Sequence, residues 1–411
     1  MTPEVKGFLL VSVLKLLVVF TVVIVGVALL TLLERKLSAW IQNRIGPNRT
    51  GPGGILQPAA DGIKNILKEE TLPAGANPVL FMLAPIMAFI PAMLLSGVIP
   101  FAAPWQIDFD IDWVIIGHAS YHGLMPMVVA DLPIGYLFVV AFSSVGVYGI
   151  VVAGWSSNSK YSMLGGLRSS AQMVSYELAM GLALIPILLL SGNVAFGAII
   201  ESQQQGLWYV LPLFLSFFVF LVAGFAETNR LPFDMPEAES ELVAGYHAEY
   251  SAMKFSMFFI AEYANMVTIA AMTATLFFGG WDIPFTSWDN HGGSFVVVVA
   301  TAVTFVLKTF FFLVLFMWVR WTLPRFRYDQ VMSLGWKFMI ELATLYIVVM
   351  ALAIHVVERM LGVTGLLERG LIYTGLNVVV AWLVFVVLDR GLIIRGASVT
   401  GGARPRTAEE G

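Results

Sequence analysis

The chemistry-bearing residues concentrate in one stretch. Residues 226–250 hold Glu227, Asp234, Glu237, Glu239, Glu241 and Glu249 against one full cation, Arg230. Apolar runs at roughly 207–226 and 252–278 flank it. Carboxylates at the edge of a low-dielectric region are costly in their charged form, so acids this dense suit proton uptake and release. Part of the stretch has a structural reading. Asp234 and Glu237 fit a helix cap with a capping-box acid three residues on, and Pro236 is tolerated in a first helical turn. Capping leaves Glu227, Glu239, Glu241 and Glu249 unexplained.

Ionisable groups inside the apolar runs are few. Glu177 follows Gln172 and Ser175, Glu262 stands near Asn265, and Lys308 and Glu341 lie further on; Lys15 and Asp131 sit nearer the ends of their runs. An intramembrane carboxylate points to a proton relay or ion site, against the plainer reading of a buried, satisfied Glu–Lys pair. His118 and His122 are four apart with no third ligand spacing nearby, and His355 stands alone in an apolar run. Neither pattern makes a metal or haem site.

The housing follows from composition. Of 411 residues, 58% are hydrophobic and 12% charged, where a soluble chain has about 25% charged. The fold expected is an all-α polytopic membrane protein. The absence of cysteine excludes disulfides, thiolate zinc sites and iron–sulfur ligation by this chain. A span needs about 20 apolar residues. Nine runs qualify, at approximately 8–33, 79–100, 125–153, 171–191, 207–226, 252–280, 295–319, 336–357 and 371–389. The first, preceded by Glu4, is too long for a signal h-region.

Cations cluster after the odd-numbered runs, among them Arg35, Lys36, Arg44, Lys64, Lys160, Arg230 and Arg320. By the positive-inside rule the N-terminus is outside, and the C-terminus and long loops are cytoplasmic. The first such loop, 34–78, opens with Glu34, Arg35 and Lys36. A turn-forming Gly/Pro stretch follows over 44–54. Ile55, Ala59, Ile63, Ile66 and Leu67 then recur at helical spacing around Asp61 and Lys64, which predicts an amphipathic helix in the interface plane. Glu34, Arg35 and Lys36 also read as snorkelling anchors, and the aromatic–cation alternation over 320–330 as a headgroup belt.

Three blocks carry a family resemblance. One runs from Glu34-Arg-Lys through Arg44-Ile-Gly-Pro-Asn-Arg to Leu56-Gln-Pro-Ala-Ala-Asp-Gly-Ile-Lys64. Another runs from Gly154-Trp-Ser-Ser-Asn-Ser-Lys to Glu177. The third is 226–250, with Ala261-Glu-Tyr263 and Leu323-Pro-Arg-Phe-Arg-Tyr-Asp-Gln330 beyond it. Together they span roughly 8–350, and the chain resembles the H subunits of bacterial proton-pumping NADH–quinone oxidoreductase, respiratory complex I. The resemblance implies an eight-helix core, here residues 1–360, whose cytoplasmic loops (34–78, 154–170, 226–251 and 320–335) wall a quinone chamber. Residues 361–411 exceed it by one helix and a tail. By motif position Glu34, Arg35, Arg44, Asp61, Gly62, Lys64 and Arg230 would belong to the quinone chamber. Glu177, Glu227, Glu237, Glu239, Glu241 and Glu262 would form an acidic path, with Tyr263 and Lys308 close to it. Quinone would be the substrate. NADH, FMN and iron–sulfur clusters would belong to peripheral-arm partners, with small and antiporter-like membrane subunits and lipids as neighbours, and no metal, flavin or nucleic acid bound here. The site would be the bacterial plasma membrane.

Other classes are open at this point. A related membrane-bound hydrogenase or a ferredoxin- or F420-dependent dehydrogenase would use the same kind of subunit. A free-standing cation/proton antiporter would account for Glu177, Glu227, Glu262 and Lys308 alone and would work without partners. A structural anchor would not need the buried acids.

Overall fold

The computed structural model describes residues 2–113, 117–235, 243–284, 286–290, 292–363 and 365–389. Glu237, Glu239 and Glu241, and with them half of the expected capping box, lie outside these residues.

The first helix, α1, runs Pro3–Ile41. Proline suits a first helical turn, and Asn43, at φ 52°, takes the left-handed conformation that ends a helix. The helix therefore continues past the apolar run through Glu34, where the end of that run predicts a loop. One face carries Leu30, Glu34 and Ser38, all buried, as spacing of four dictates; Arg35 points away and is exposed. The turn over 44–54 is real. Gly51, Gly53 and Gly54 have positive φ, and a Cβ on Gly54 would lie 2.2 Å from the Pro47 carbonyl oxygen. The expected surface helix follows as α2, Gln57–Leu67, with none of its residues buried.

Helix α3 (Pro78–Leu95) is capped by Asn77, whose Oδ1 accepts from the Val79 and Leu80 amides. A β-hairpin comes next, in a chain expected to be helical throughout: β1 (Ala102–Trp113) pairs antiparallel with β2 (Gly117–Met127). Its signal is strict alternation. Ile107, Phe109 and Ile111 share one face, Asp108, Asp110 and Asp112 the other. The apolar face packs near Leu10 and Val11 of α1. The register sets Asp108 opposite His122 and Asp112 opposite His118. His118 lies 2.8 Å from Asp112, and His122 lies 3.5 Å from Asp108 and 3.4 Å from Asp110. The histidines are thus surface partners of the strand acids. The third apolar run accordingly becomes helical only at Gly135.

The remaining helices are α4 (Gly135–Ser156), α5 (Lys160–Ser191), α6 (Phe196–Gln205), α7 (Phe214–Glu227), α8 (Ala252–Phe277), α9 (Phe295–Thr322), α10 (Tyr328–Met360) and α11 (Leu366–Asp389). Among the described residues eight helices are long and apolar enough to cross a membrane: α1, α3, α4, α5, α8, α9, α10 and α11. The chain is an all-α multi-pass membrane protein with one small hairpin. Helix α7 is apolar but has 14 residues, about 21 Å. Helix α8 is the centre of the bundle and is mostly buried, whereas α1 and α11 leave most of their apolar surface exposed.

Candidate functional site

The acidic stretch is fastened before it does anything else. Gln172 of α5, fully buried, donates to the carbonyls of Ala226 (2.9 Å) and Phe233 (2.7 Å). Arg325 donates to the Asp234 carboxylate at 2.8 Å. Gly165 of α5 lies against the second part of the loop, where a Cβ would come within 2.7 Å of the Gly245 Cα and the Tyr246 nitrogen. Only a residue without a side chain allows that approach.

Two groups of ionisable side chains result. Glu34 of α1 receives the Tyr263 hydroxyl at 2.6 Å, Arg230 Nη1 at 3.4 Å, and a contact from Arg320 Nη1. Arg230 Nε also lies 2.9 Å from Glu262, and its guanidinium sits 4.2 Å from the Tyr263 ring centre. Two carboxylates meet two guanidiniums and a phenol, so the cluster is neutral overall. Glu34 and Arg230 are buried. Burial works against the charge on Arg230, but Glu262, Tyr263 and Glu34 outweigh it and raise its pKa above the ordinary value. A balanced cluster of this kind is fixed and charged.

The second group is different. Glu227 ends α7 and is buried, and its Oε2 has no hydrogen-bond partner among the described residues. A carboxylate at a helix C-terminus also opposes the helix dipole. Glu177 of α5 is close enough for its charge to act on Glu227, and accepts from Ser144 of α4. Among the described residues no ion pair joins a cation to either acid. A cavity of about 30 Å³, lined by Glu227, Glu262, Asn265 and Tyr246 among others, separates the groups; a water needs roughly 10–15 Å³. Two acids with no counter-ion among the described residues, one of them lining space for water, can pass protons.

Other expected residues lie apart. Arg35 pairs with Asp61 at 2.6 Å, tying α2 to α1 on the exposed side, and Lys64 pairs with Asp61 at 3.2 Å within α2. Gly62 stands in open space. Arg44 is exposed and donates to Gln42 at 2.6 Å. Lys308 is not brought to the acidic path. Its Nζ donates to the carbonyls of Phe278, Gly280 and Asp282 at 2.6, 3.0 and 2.6 Å, capping the far end of α8. Sixteen residues separate Glu262 from Phe278, about 24 Å of helix. Arg320 escapes sequence reasoning as a site residue, because a cation at the end of an apolar helix reads as an interface anchor. Its α9 position becomes informative only once α1 and α9 are seen to converge on Glu34.

The Asp61 tie gives a measurable pH effect. Burial raises the carboxyl's pKa, but hydrogen bonds from Arg35 and Lys64 outweigh it, and the net value lies below the ordinary 3.8. The stabilisation is therefore present above that pH and lost as pH falls through the depressed value. With both partners largely exposed, Asp61→Asn is expected to cost under about 1 kcal/mol at neutral pH. Thermal inactivation checks it: the gap between variant and wild type should narrow as pH falls below 3.8.

Residues 14–351 match the family model described as NADH dehydrogenase. The chain belongs to this family. It is 48% identical to the second H subunit of NADH-quinone oxidoreductase from Geobacter metallireducens, over 84% of this chain and 95% of that protein. It is 49% identical to the second H subunit from Koribacter versatilis, over 84% and 97%. Subunit 8 from Rhodothermus marinus is 46% identical over 78% and 90%. The chain is accordingly a membrane subunit of NADH–quinone oxidoreductase, complex I, with other complex I subunits as its partners and quinone as the substrate that fits this role. The matched residues stop before α11 begins.

Proposed function

We propose that this subunit walls the quinone chamber with the α1–α2 region and couples quinone reduction to proton movement through Glu227 and Glu177. The observation that carries the reading is the Glu34–Arg230–Glu262–Tyr263–Arg320 cluster, which starts beside the α1–α2 region and ends at the cavity it shares with Glu227. Quinone reduction adds charge and takes up two protons. Charge arriving beside this fixed cluster polarises its ion pairs and hydrogen bonds without breaking them, and Glu262 carries that change of field to Glu227 and Glu177. Glu237, Glu239 and Glu241 would belong to the same acidic path. Arg35, Asp61, Gly62 and Lys64 would form its portal, with the apolar face of α2 receiving the quinone tail; Arg44 would lie at its outer edge. Lys308 would support the path by holding the end of α8.

In the same reading the acidic end faces the cytoplasm of a bacterial plasma membrane, and the hairpin end with the N-terminus faces out. Residues 1–360 act as the core and 361–411 as an addition. Iron–sulfur clusters, FMN and the NADH site reside in peripheral-arm subunits docked on the acidic end, and antiporter-like subunits adjoin laterally.

The test of the chamber compares two activities of the assembled complex. Gly62→Trp and Arg35→Glu are expected to slow NADH-driven quinone reduction about tenfold or more, equivalent to roughly 1.4 kcal/mol of lost transition-state stabilisation. Oxidation of NADH by an artificial acceptor should be unchanged. Equal loss of both activities in an assembled complex would remove the reading.

A further inference from the structure

Helix α11 lies beyond the residues matched by the family model, yet it carries a buried polar clasp. Asn377, 2% exposed, accepts from the Tyr346 hydroxyl of α10 at 2.7 Å. Its amide donates to the carbonyls of Pro212 and Tyr373. Near the start of α11, Arg369 pairs with Glu358 at 2.7 Å and donates to the Val363 carbonyl at 2.8 Å. A Cβ on Gly370 would lie 3.4 Å from the Leu207 Cβ.

These contacts fall at the irregular end of α7. A membrane core is about 30 Å thick, and the 14 residues of α7 cover only about 21 Å. The irregular stretch 207–213 precedes α7 in the same apolar run, and only the two together reach the length of a crossing. Non-helical backbone at membrane depth is tolerated only where protein covers it and satisfies its carbonyls. Helix α11 supplies the cover, and Asn377 satisfies Pro212. A carboxamide buried on an apolar helix is itself costly unless paired, and here both its ends are paired.

The other end of α7 is Glu227. We propose that Asn377 is a positioning residue for Glu227: α11 clamps the irregular end of α7, and the rigid helix carries that constraint to the carboxyl at its opposite end. The proposal rests on the reading of Glu227 as a proton carrier.

The chain has no cysteine, so a single engineered pair reports cleanly. In membranes holding the full complex, Leu207→Cys with Gly370→Cys should form an intrachain disulfide on mild oxidation, since bridged residues have Cβ atoms about 3.5–4.5 Å apart. Neither single variant should do so. Asn377→Leu is expected to slow proton-coupled quinone reduction by the assembled complex about fivefold, the factor that losing one buried hydrogen bond is worth, with NADH oxidation by an artificial acceptor unchanged. Asn377→Gln should recover part of the loss, and oxidising the cysteine pair in the Asn377→Leu background should recover more. A purely structural helix would lower assembly and leave the quinone turnover of assembled complex alone. Absence of the disulfide, or wild-type coupled turnover in Asn377→Leu, overturns the clamp. Wild-type pumping in Glu227→Gln would instead remove the reading beneath it while leaving the disulfide in place.

Discussion

Replacing Glu227 by Gln is expected to abolish proton-coupled quinone reduction while the complex still assembles. The carboxyl is buried with Oε2 unbonded among the described residues, so an amide of the same shape removes the proton site and few contacts. Glu177→Gln should behave alike, because a carboxamide oxygen can still accept from Ser144. A positioned proton donor or acceptor typically contributes 10²–10⁴ in rate, so quinone turnover should fall by about 10²-fold or more. NADH oxidation by an artificial acceptor should persist. The charge of Glu177 acts on Glu227, so the double variant should lose little beyond either single one, as groups acting in one relay do. Wild-type quinone turnover and membrane potential in assembled Gln variants would show that both carboxyls are structural.

The second large effect concerns stability. Arg230→Met removes the cation shared by Glu34 and Glu262. Breaking a buried pair by deleting one partner costs about 3–5 kcal/mol, because the remaining charge is left without compensation. Glu34 keeps Arg320 and Tyr263, and Glu262 loses the guanidinium 2.9 Å from it. The expected result is a complex that loses this subunit or its quinone reductase activity at a markedly lower temperature. Adding Glu262→Gln should restore part of the stability without restoring coupled turnover. If Arg230→Met were as heat-stable as wild type, the cluster would not be the fixed, charge-balanced unit described above.

Much of this protein is legible without coordinates. Apolar runs of bilayer length specify the spans, because a chain that must satisfy its backbone hydrogen bonds in lipid has little choice but helix. Gly51, Gly53 and Gly54 announce the turn after α1, and the spacing of Ile63, Ile66 and Leu67 announces α2. The hairpin is equally readable from the alternation of Asp108, Asp110 and Asp112 with apolar residues. It escapes a search for membrane spans because such a search weighs apolar length and ignores a period of two.

Residue type and hydropathy alone mark where the chemistry lies: acids in apolar surroundings are costly wherever they fall, so Glu177, Glu227 and Glu262 stand out at once. Which acids are neutralised and which are not was decided only by the tertiary structure. Charge compensation depends on distance through space, and Glu34, Arg230, Glu262 and Arg320 come from four separate segments. Lys308, equally conspicuous in sequence, ends at the far side of α8 on three backbone carbonyls. Glu227, beside Arg230 in the chain, ends without a counter-ion among the described residues, because the chain turns sharply after α7 and sends the arginine to Glu34 and Glu262 instead.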